Sequence, residues 1–467
     1  MRTIGIDLAI VGDHKAVILD NQGKPIGKVI RLQTDPASLE ALLDRAREGA
    51  DEDESLRTVM EPTGLAWLPA ASYLIQRGVT VYLVNTQQVA DLRKFYKKHA
   101  KSDRIDARVL ARLPWVNPDR LHPLQLSPAD YLSGQRWCKQ QEELDELMTA
   151  IKNRVQAWER AFWPGLEEVV GDLFVPWARR WREEWYDPWQ LQEVETRQLA
   201  AFLAQAGADP EKADSLAAGL QEVARRAVAL FGTPEGGLSP YLDYVTLQDQ
   251  VLRELRLLAS FEDEHRAVRR KVQQLYRQLH PERHLESIKG VGDNGAAVYV
   301  FFIGDVGRFV TQKDFRGWHG IIPASEQSSN VEKKGLRITS AGPDPVKKYG
   351  YINAEVARQW DPQVAAIYHD QMMNKGKHHC QAVCACATHL LDRVRAVLRD
   401  GRPYELRDVD GRPVTWQEAR AIIAERYHVP DEVRRRNSKR ARKAQQDRRA
   451  ERKQKRRSRP GSERLTP

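Results

Sequence analysis

The chain has 467 residues, 74 Lys and Arg against 64 Asp and Glu, and a formal charge of +10. That length excludes a single core and implies two to four domains. Four cysteines exclude a disulfide framework, and no apolar run is long enough to span a bilayer. The charge is uneven: 15 basic and 4 acidic residues lie between Asp431 and Arg459, which leaves the rest near neutral. Such a polycationic tail suits a polyanion. The first residues run directly into a strand pattern with no secretory h-region, so the expected location is cytoplasmic and reducing.

Residues 1 to about 125 read as α/β. Thr3 to Leu8 is a short buried strand ending in Asp7, and Ala16–Leu19 and Gly27–Leu32 complete an antiparallel meander with a turn at Asn21–Pro25. Asp35-Pro36 opens a helix, with Asp35 as N-cap. A fourth strand, Arg57–Met60, ends at Glu61; a helix carrying Trp67 and Leu74 follows, then a fifth strand from Val79 to Val84. Three meandering strands followed by alternating helix and strand is the order of a ribonuclease H-like fold. In that order Asp7 and Glu61 end strands near the middle of the sheet.

The stretch Lys101-Ser102-Asp103-Arg104-Ile105-Asp106-Ala107 carries two carboxylates three residues apart, before an apolar helical pattern. Asp103 and Asp106 in a first helical turn leave one face together. With Asp7 and Glu61 they form a set of four acids that would not all stay ionised without cations. Two divalent ions about 4 Å apart would neutralise them, and oxygen-only ligation favours Mg²⁺, with Mn²⁺ able to substitute. Lys101 and Arg104 offset the charge and can hold an acidic polymer.

Residues 126–285 read as helical, with coiled-coil-like seams through Leu144, Leu147, Ile151, Val155, Trp158 and Phe162, and again from Leu247 to Leu279. The two helices are expected to pair within the chain or between subunits. Between them, Trp163, Trp177, Trp181, Trp185 and Trp189 interleave with Arg179, Arg180 and Arg182, a pattern that suits either a core or stacking on unpaired bases. Residues 286–405 open on Ile288-Lys289-Gly290-Val291-Gly292, which resembles a helix–hairpin–helix turn whose glycines admit a phosphate to the backbone amides. A serine-rich loop follows Gly320-Ile321-Ile322-Pro323 and presents Ser328 and Ser329 ahead of Lys333, Lys334 and Arg337. Cys380, Cys384 and Cys386 lie in an apolar helical run that reads as core before it reads as a zinc site. Residues 406–467 are a polar linker and a basic tail expected to be disordered.

Three segments in order, Gly5-Ile6-Asp7, Met60-Glu61-Pro62-Thr63-Gly64 and Lys101 to Ala107, together with Ile288–Gly292, Asp305–Phe309 and Gly320–Pro323, resemble the DEDD transposases of the insertion-sequence-110 family, the bridge-RNA-guided serine recombinases related to the Piv invertase. The likeness covers roughly residues 1–125 and 285–405. It implies a RuvC-like domain whose Asp7, Glu61, Asp103 and Asp106 hold Mg²⁺, and a mainly α C-terminal transposase domain. It further implies Ser328 as covalent nucleophile, strand exchange between donor and target DNA through a phosphoserine, a structured guide RNA, and a dimer to tetramer associated with the nucleoid. Lys289, Gly290, Gly292, Lys333, Lys334 and Arg337 are the nucleic-acid contacts expected beside it. The family's glycine after the nucleophile is absent here, which keeps Ser329 open. Two other readings compete: a metal-only RuvC-like endonuclease or junction resolvase, and a non-catalytic nucleic-acid-binding protein.

Overall fold

The computed structural model describes residues 1–51, 54–84, 89–92, 103–116, 118, 121–234, 237–323, 327–328, 331–332, 337–339 and 341–457. They form two compact units, Met1–Ser127 and Pro128–Pro467. The first is built on a mixed five-stranded sheet: β1 (Arg2–Asp7), β2 (His14–Leu19), β3 (Pro25–Leu32), β4 (Leu56–Met60) and β5 (Thr80–Leu83), in the order β3-β2-β1-β4-β5. β1 is antiparallel to β2 and parallel to β4, which is itself parallel to β5. α1 (Pro36–Arg47) begins at Asp35, whose carboxylate accepts the Ser38 N–H at 2.9 Å as the sequence predicts. α1 and α2 (Trp67–Ile75) bury Leu39, Leu42, Leu43, Ala70 and Leu74 against Ile4 and Ile6 of β1. The opposite face of the sheet is covered by α3 (Asp103–Val116), through Ala107, Val109, Leu110 and Ala111.

The second unit is almost wholly helical. Two long helices, α4 (Ala129–Phe162) and α10 (Tyr244–Leu279), pair side by side within the chain. Contacts of Gln141 with His265 and of Arg154 with Glu254 fix them antiparallel. Leu144, Ile151 and Val155 are buried along one seam, and Leu247, Val251, Leu255 and Val272 along the other; Leu147 instead stands 48% exposed.

Five short helices connect the pair: α5 (Leu166–Val170), α6 (Pro176–Glu184), α7 (Pro188–Glu193), α8 (Thr196–Gln205) and α9 (Ala213–Phe231). Here the Trp-rich stretch forms a core and not a base-stacking face. Trp163 and Trp181 are fully buried with ring centroids 5.2 Å apart. Arg182 is equally buried, its guanidinium held by Glu159 at 2.5 and 2.7 Å. A charge in that position must be paired and hydrogen-bonded, which takes Arg182 away from any ligand.

After the pair come α11 (Asp293–Ile303), α12 (Gln312–His319), the two-residue strands β6 (Gln327–Ser328) and β7 (Val331–Glu332), α13 (Asp344–Ala357), α14 (Pro362–His369) and α15 (His379–Asp400). The apolar helix α15 is the centre of their core through Ala382, Val383, Cys386, Leu390 and Val394. Cys386 is buried, its thiol donating to the Val364 carbonyl, and burial pushes it up to about 12. Cys380 is exposed, and among the described residues no metal-holding group forms there.

The polar C-terminal region differs from expectation. α16 (Trp416–Arg426) starts with a Thr415/Glu418 capping box, and α17 runs from Asp431 to Arg457. The tail is helical through Arg457. Its first turns have something to bury after all. Val433 packs on the main core, and the buried Asn437 amide donates to the Met372 and Lys377 carbonyls at 2.8 and 3.0 Å. Beyond that anchor, Arg, Lys, Ala and Gln favour continued helix. Among the described residues no helix is long and apolar enough to cross a membrane.

Candidate active site

The last ladder pair between β1 and β4 is Ile6 with Met60, so Asp7 and Glu61 occupy the next position on adjacent parallel strands. Strands in a sheet lie about 4.8 Å apart, which makes these half-buried carboxylates neighbours at the C-terminal edge of the sheet. Alternation sends Ile4 and Ile6 toward α1 and α2, and therefore Gly5 and Asp7 toward α3.

Gly5 permits α3 to lie on the strand itself. A Cβ there would stand 2.2 Å from the Ala107 carbonyl oxygen and 2.4 Å from the Ala111 nitrogen. Farther along the helix, Trp115 receives the Arg57 guanidinium at 4.6 Å, and Arg57 pairs in register with Thr3 near the start of β1. The helix thus runs antiparallel to β1. Its first turn, Asp103 to Asp106, lies toward the edge that carries Asp7 and Glu61. Asp106 is 8% exposed; the side chains of Asp103 and Arg104, and all of Lys101, lie outside the described residues.

Lys15 was not anticipated as part of this edge. It is the register partner of Asp7, so both side chains leave the same face. The signal for it lay in the short β1–β2 connection, which sets the register. His14 fixes that connection: its Nδ1 accepts the Ala9 N–H at 3.0 Å, which leaves Nε2 as the N–H donor to Thr34 Oγ1 at 2.5 Å. Burial lowers the His14 pKa and so favours this neutral ring.

The donors at this edge are all carboxylate oxygens, the chemistry of a hard divalent cation. Among the described residues, no three acidic, histidine or cysteine side chains stand close enough to hold an ion. The fit therefore rests on the Asp7/Glu61 register and the course of α3.

The second candidate is the hairpin of Ser328. α12 is closed by Gly320 at φ +71° and tied to α15 by a bidentate pair between Arg316 and Asp392. His319 is fully buried; its Nδ1 accepts the Ile321 N–H at 3.1 Å, and burial lowers its pKa to about 4. Thr388 Oγ1 of α15 donates to the Ile321 carbonyl at 2.5 Å. Thr339 donates from its N–H to the Ile322 carbonyl at 3.0 Å and from Oγ1 to the Gly320 carbonyl at 3.1 Å. Pro323 bridges Ile338. Farther along the chain, Ser328 pairs with Val331 and Gln327 with Glu332. Arg337 is exposed; the Ser328 side chain, Ser329, Lys333 and Lys334 lie outside the described residues.

The two glycines of the Lys289–Gly292 turn divide. Gly290 has φ +95°, and a Cβ on it would lie 2.5 Å from the Asn353 carbonyl and 2.8 Å from the Ala357 nitrogen. This glycine is needed for the close approach of helix α13. Gly292 is exposed with open space around it at the start of α11, and Lys289 beside it is exposed.

Residues 4–164 match a family model for DEDD transposases of IS110, described as a transposase, and residues 282–369 match a model described as transposase, IS116/IS110/IS902 family. An uncharacterized protein of insertion element IS110 from Streptomyces coelicolor is 25% identical over 409 residues, covering 86% of this chain and 95% of its own. An uncharacterized protein of insertion element IS116 from Streptomyces clavuligerus is 23% identical over 401 residues, with the same coverage.

Proposed function

Since the chain belongs to the IS110 family of transposases, enzymes that act on DNA, we propose that it joins donor and target DNA by strand exchange through a phosphoserine at Ser328, guided by a structured RNA. A DEDD transposase domain carries divalent-metal dependence with it, and the metal proposed here is Mg²⁺, held by Asp7, Glu61, Asp103 and Asp106. The observation that carries this reading is the parallel register of Asp7 and Glu61 beneath the first turn of α3. When bound, the ion would neutralise the carboxylates and polarise the scissile phosphate.

The Ser328 oxygen forms a bond to phosphorus as its hydroxyl proton leaves. The bond from phosphorus to the leaving strand's oxygen breaks, and that oxygen takes up a proton. Attack by the free hydroxyl of the exchanged strand reverses the step and restores the serine. Lys289, Gly292 and Arg337, with Lys101, Arg104, Lys333 and Lys334, serve this reading as phosphate contacts. Functionally the chain divides at residues 125, 285 and 405. The α4–α10 pair is the proposed oligomer contact, supported by exposed Leu147 and Leu257.

The test is covalent trapping. Protein, element-derived RNA and labelled donor and target DNA are mixed with Mg²⁺, denatured, and resolved. The expected result is a protein-linked DNA that disappears in Ser328→Ala and in Asp7→Asn. An adduct lost only in Ser329→Ala moves the nucleophile by one residue. Cleaved DNA without any adduct replaces this reading with a metal-only nuclease, in which water attacks.

A further inference from the structure

We infer that a groove walled by α14, α16 and the start of α17 binds an unpaired nucleotide of a nucleic-acid strand. The groove encloses about 350 Å³, in the lower part of the range for pockets that take a small molecule (~300–1,000 Å³). Most of its wall lies beyond residue 369, past the matched transposase segment.

One half-buried aromatic platform, Trp360, lines it together with the buried ring of Tyr368, and each is accompanied by guanidinium. The Trp360 ring lies 6.4 Å from that of Trp416 and carries the Arg420 guanidinium at 5.0 Å. Tyr368 carries Arg358 at 4.4 Å and Arg434 at 5.9 Å.

The charges are incompletely matched. Arg358 is paired with Glu355, whereas Arg434 approaches Asp431 only to 3.9 Å and has a buried Nε without a partner. Arg420 is exposed and forms no salt bridge among the described residues. A ligand with a flat π-face and a phosphate satisfies both features: the base stacks on an aromatic ring while the phosphate takes the free guanidinium donors. A duplex keeps its bases stacked on one another and offers only phosphates.

From this groove, α17 leads away with the basic run of the tail, so the same strand meets further cations beyond it. Neither the carboxylate chemistry nor Ser328 enters this inference.

The experiment measures binding by fluorescence anisotropy, with the full chain and without divalent ions. The probes are labelled RNA and DNA single strands of one sequence, about 12 nucleotides long, and the corresponding duplex. Trp360→Ala and Arg420→Glu should each weaken single-strand binding about tenfold while duplex binding changes little. Arg420 is exposed, so its variant reports on the groove even where Trp360→Ala misfolds. Tighter binding of the RNA strand assigns the site to RNA; tighter binding of the DNA strand assigns it to a displaced DNA strand. Unchanged single-strand binding in both variants overturns the inference. So does an equal loss on single strand and duplex, which would reduce the groove to bulk positive charge.

Discussion

In the first unit, Asp7 and Glu61 take their places from a hydrogen-bonded parallel ladder with a helix laid directly on it. In the second, Ser328 stands on a two-pair hairpin whose stem is pinned at its base by a few polar contacts. A ladder distributes the positioning over many backbone bonds, so losing any one side chain moves little. The hairpin concentrates positioning in His319, Thr339 and Thr388. Substitution should therefore disturb the carboxylate edge only where backbone meets backbone, and the serine wherever a stem contact is removed.

The sharpest way to break the ladder side is Gly5→Ala. Its Cβ would collide with main-chain atoms at Ala107 and Ala111, which have no rotamer to give. Helix α3 must lift from the sheet, at a cost of about 3 kcal/mol. Hydrogen exchange should accelerate across Asp103–Val116 while His379–Asp400 keeps its protection, and Mg²⁺-dependent cleavage should fall with it. Undiminished cleavage together with undisturbed α3 protection would show that the helix does not position the site.

A second test exploits two buried imidazoles, one on each side of the comparison. His14 pins the loop after Asp7 and His319 pins the stem below Ser328; both accept a backbone N–H at Nδ1 and must stay neutral to do so. The His319 pKa is about 4 in the fold against an ordinary 6.5. The unfolded chain therefore binds the proton more readily. The stability contributed is complete above about pH 6.5 and is lost as pH falls toward 4, on the order of 3 kcal/mol. Urea unfolding followed from pH 7 to about 4.5 should show this loss in the native chain and a smaller one in His319→Gln. Parallel pH curves for the two would remove His319 from the account.

The parts of this architecture legible in the sequence were those set by local rules. The short buried strands, the Asp35 cap and the position of Asp7 and Glu61 just at or past strand ends follow from apolar runs and turn chemistry. What escaped was decided by distant partners. The close approach that requires glycine at position 290 escaped because the helix it admits, at Asn353 and Ala357, lies more than sixty residues on. The tryptophans interleaved with arginines left a core and a stacking surface both open, and the core is decided by a distant residue, Glu159 on α4, which neutralises Arg182 inside it. The tail showed no hydrophobic pattern because its anchor is an amide, Asn437, bonded to two carbonyls of the Met372–Lys377 segment. Lys15 was invisible for the converse reason: its relation to Asp7 exists only in cross-strand register.

The smallest expected effect lies in the stem. Thr388→Val keeps the shape of the side chain and removes the donor to the Ile321 carbonyl. One such bond contributes about 1 kcal/mol, and a carbonyl left without its donor adds to the loss. Global stability should fall only by that amount, because α15 keeps its apolar contacts through Leu391 and Ala387. The rate of adduct formation should fall further than stability does, since the lost bond ties Ile321, in the segment that precedes Ser328 in the chain, onto a helix. Thr388→Ser restores the hydroxyl and should recover most of that rate. If Val and Ser variants form the adduct equally fast, the stem is held by Thr339 and His319 without help from α15, and the hairpin is less dependent on single contacts than the comparison with the ladder implies.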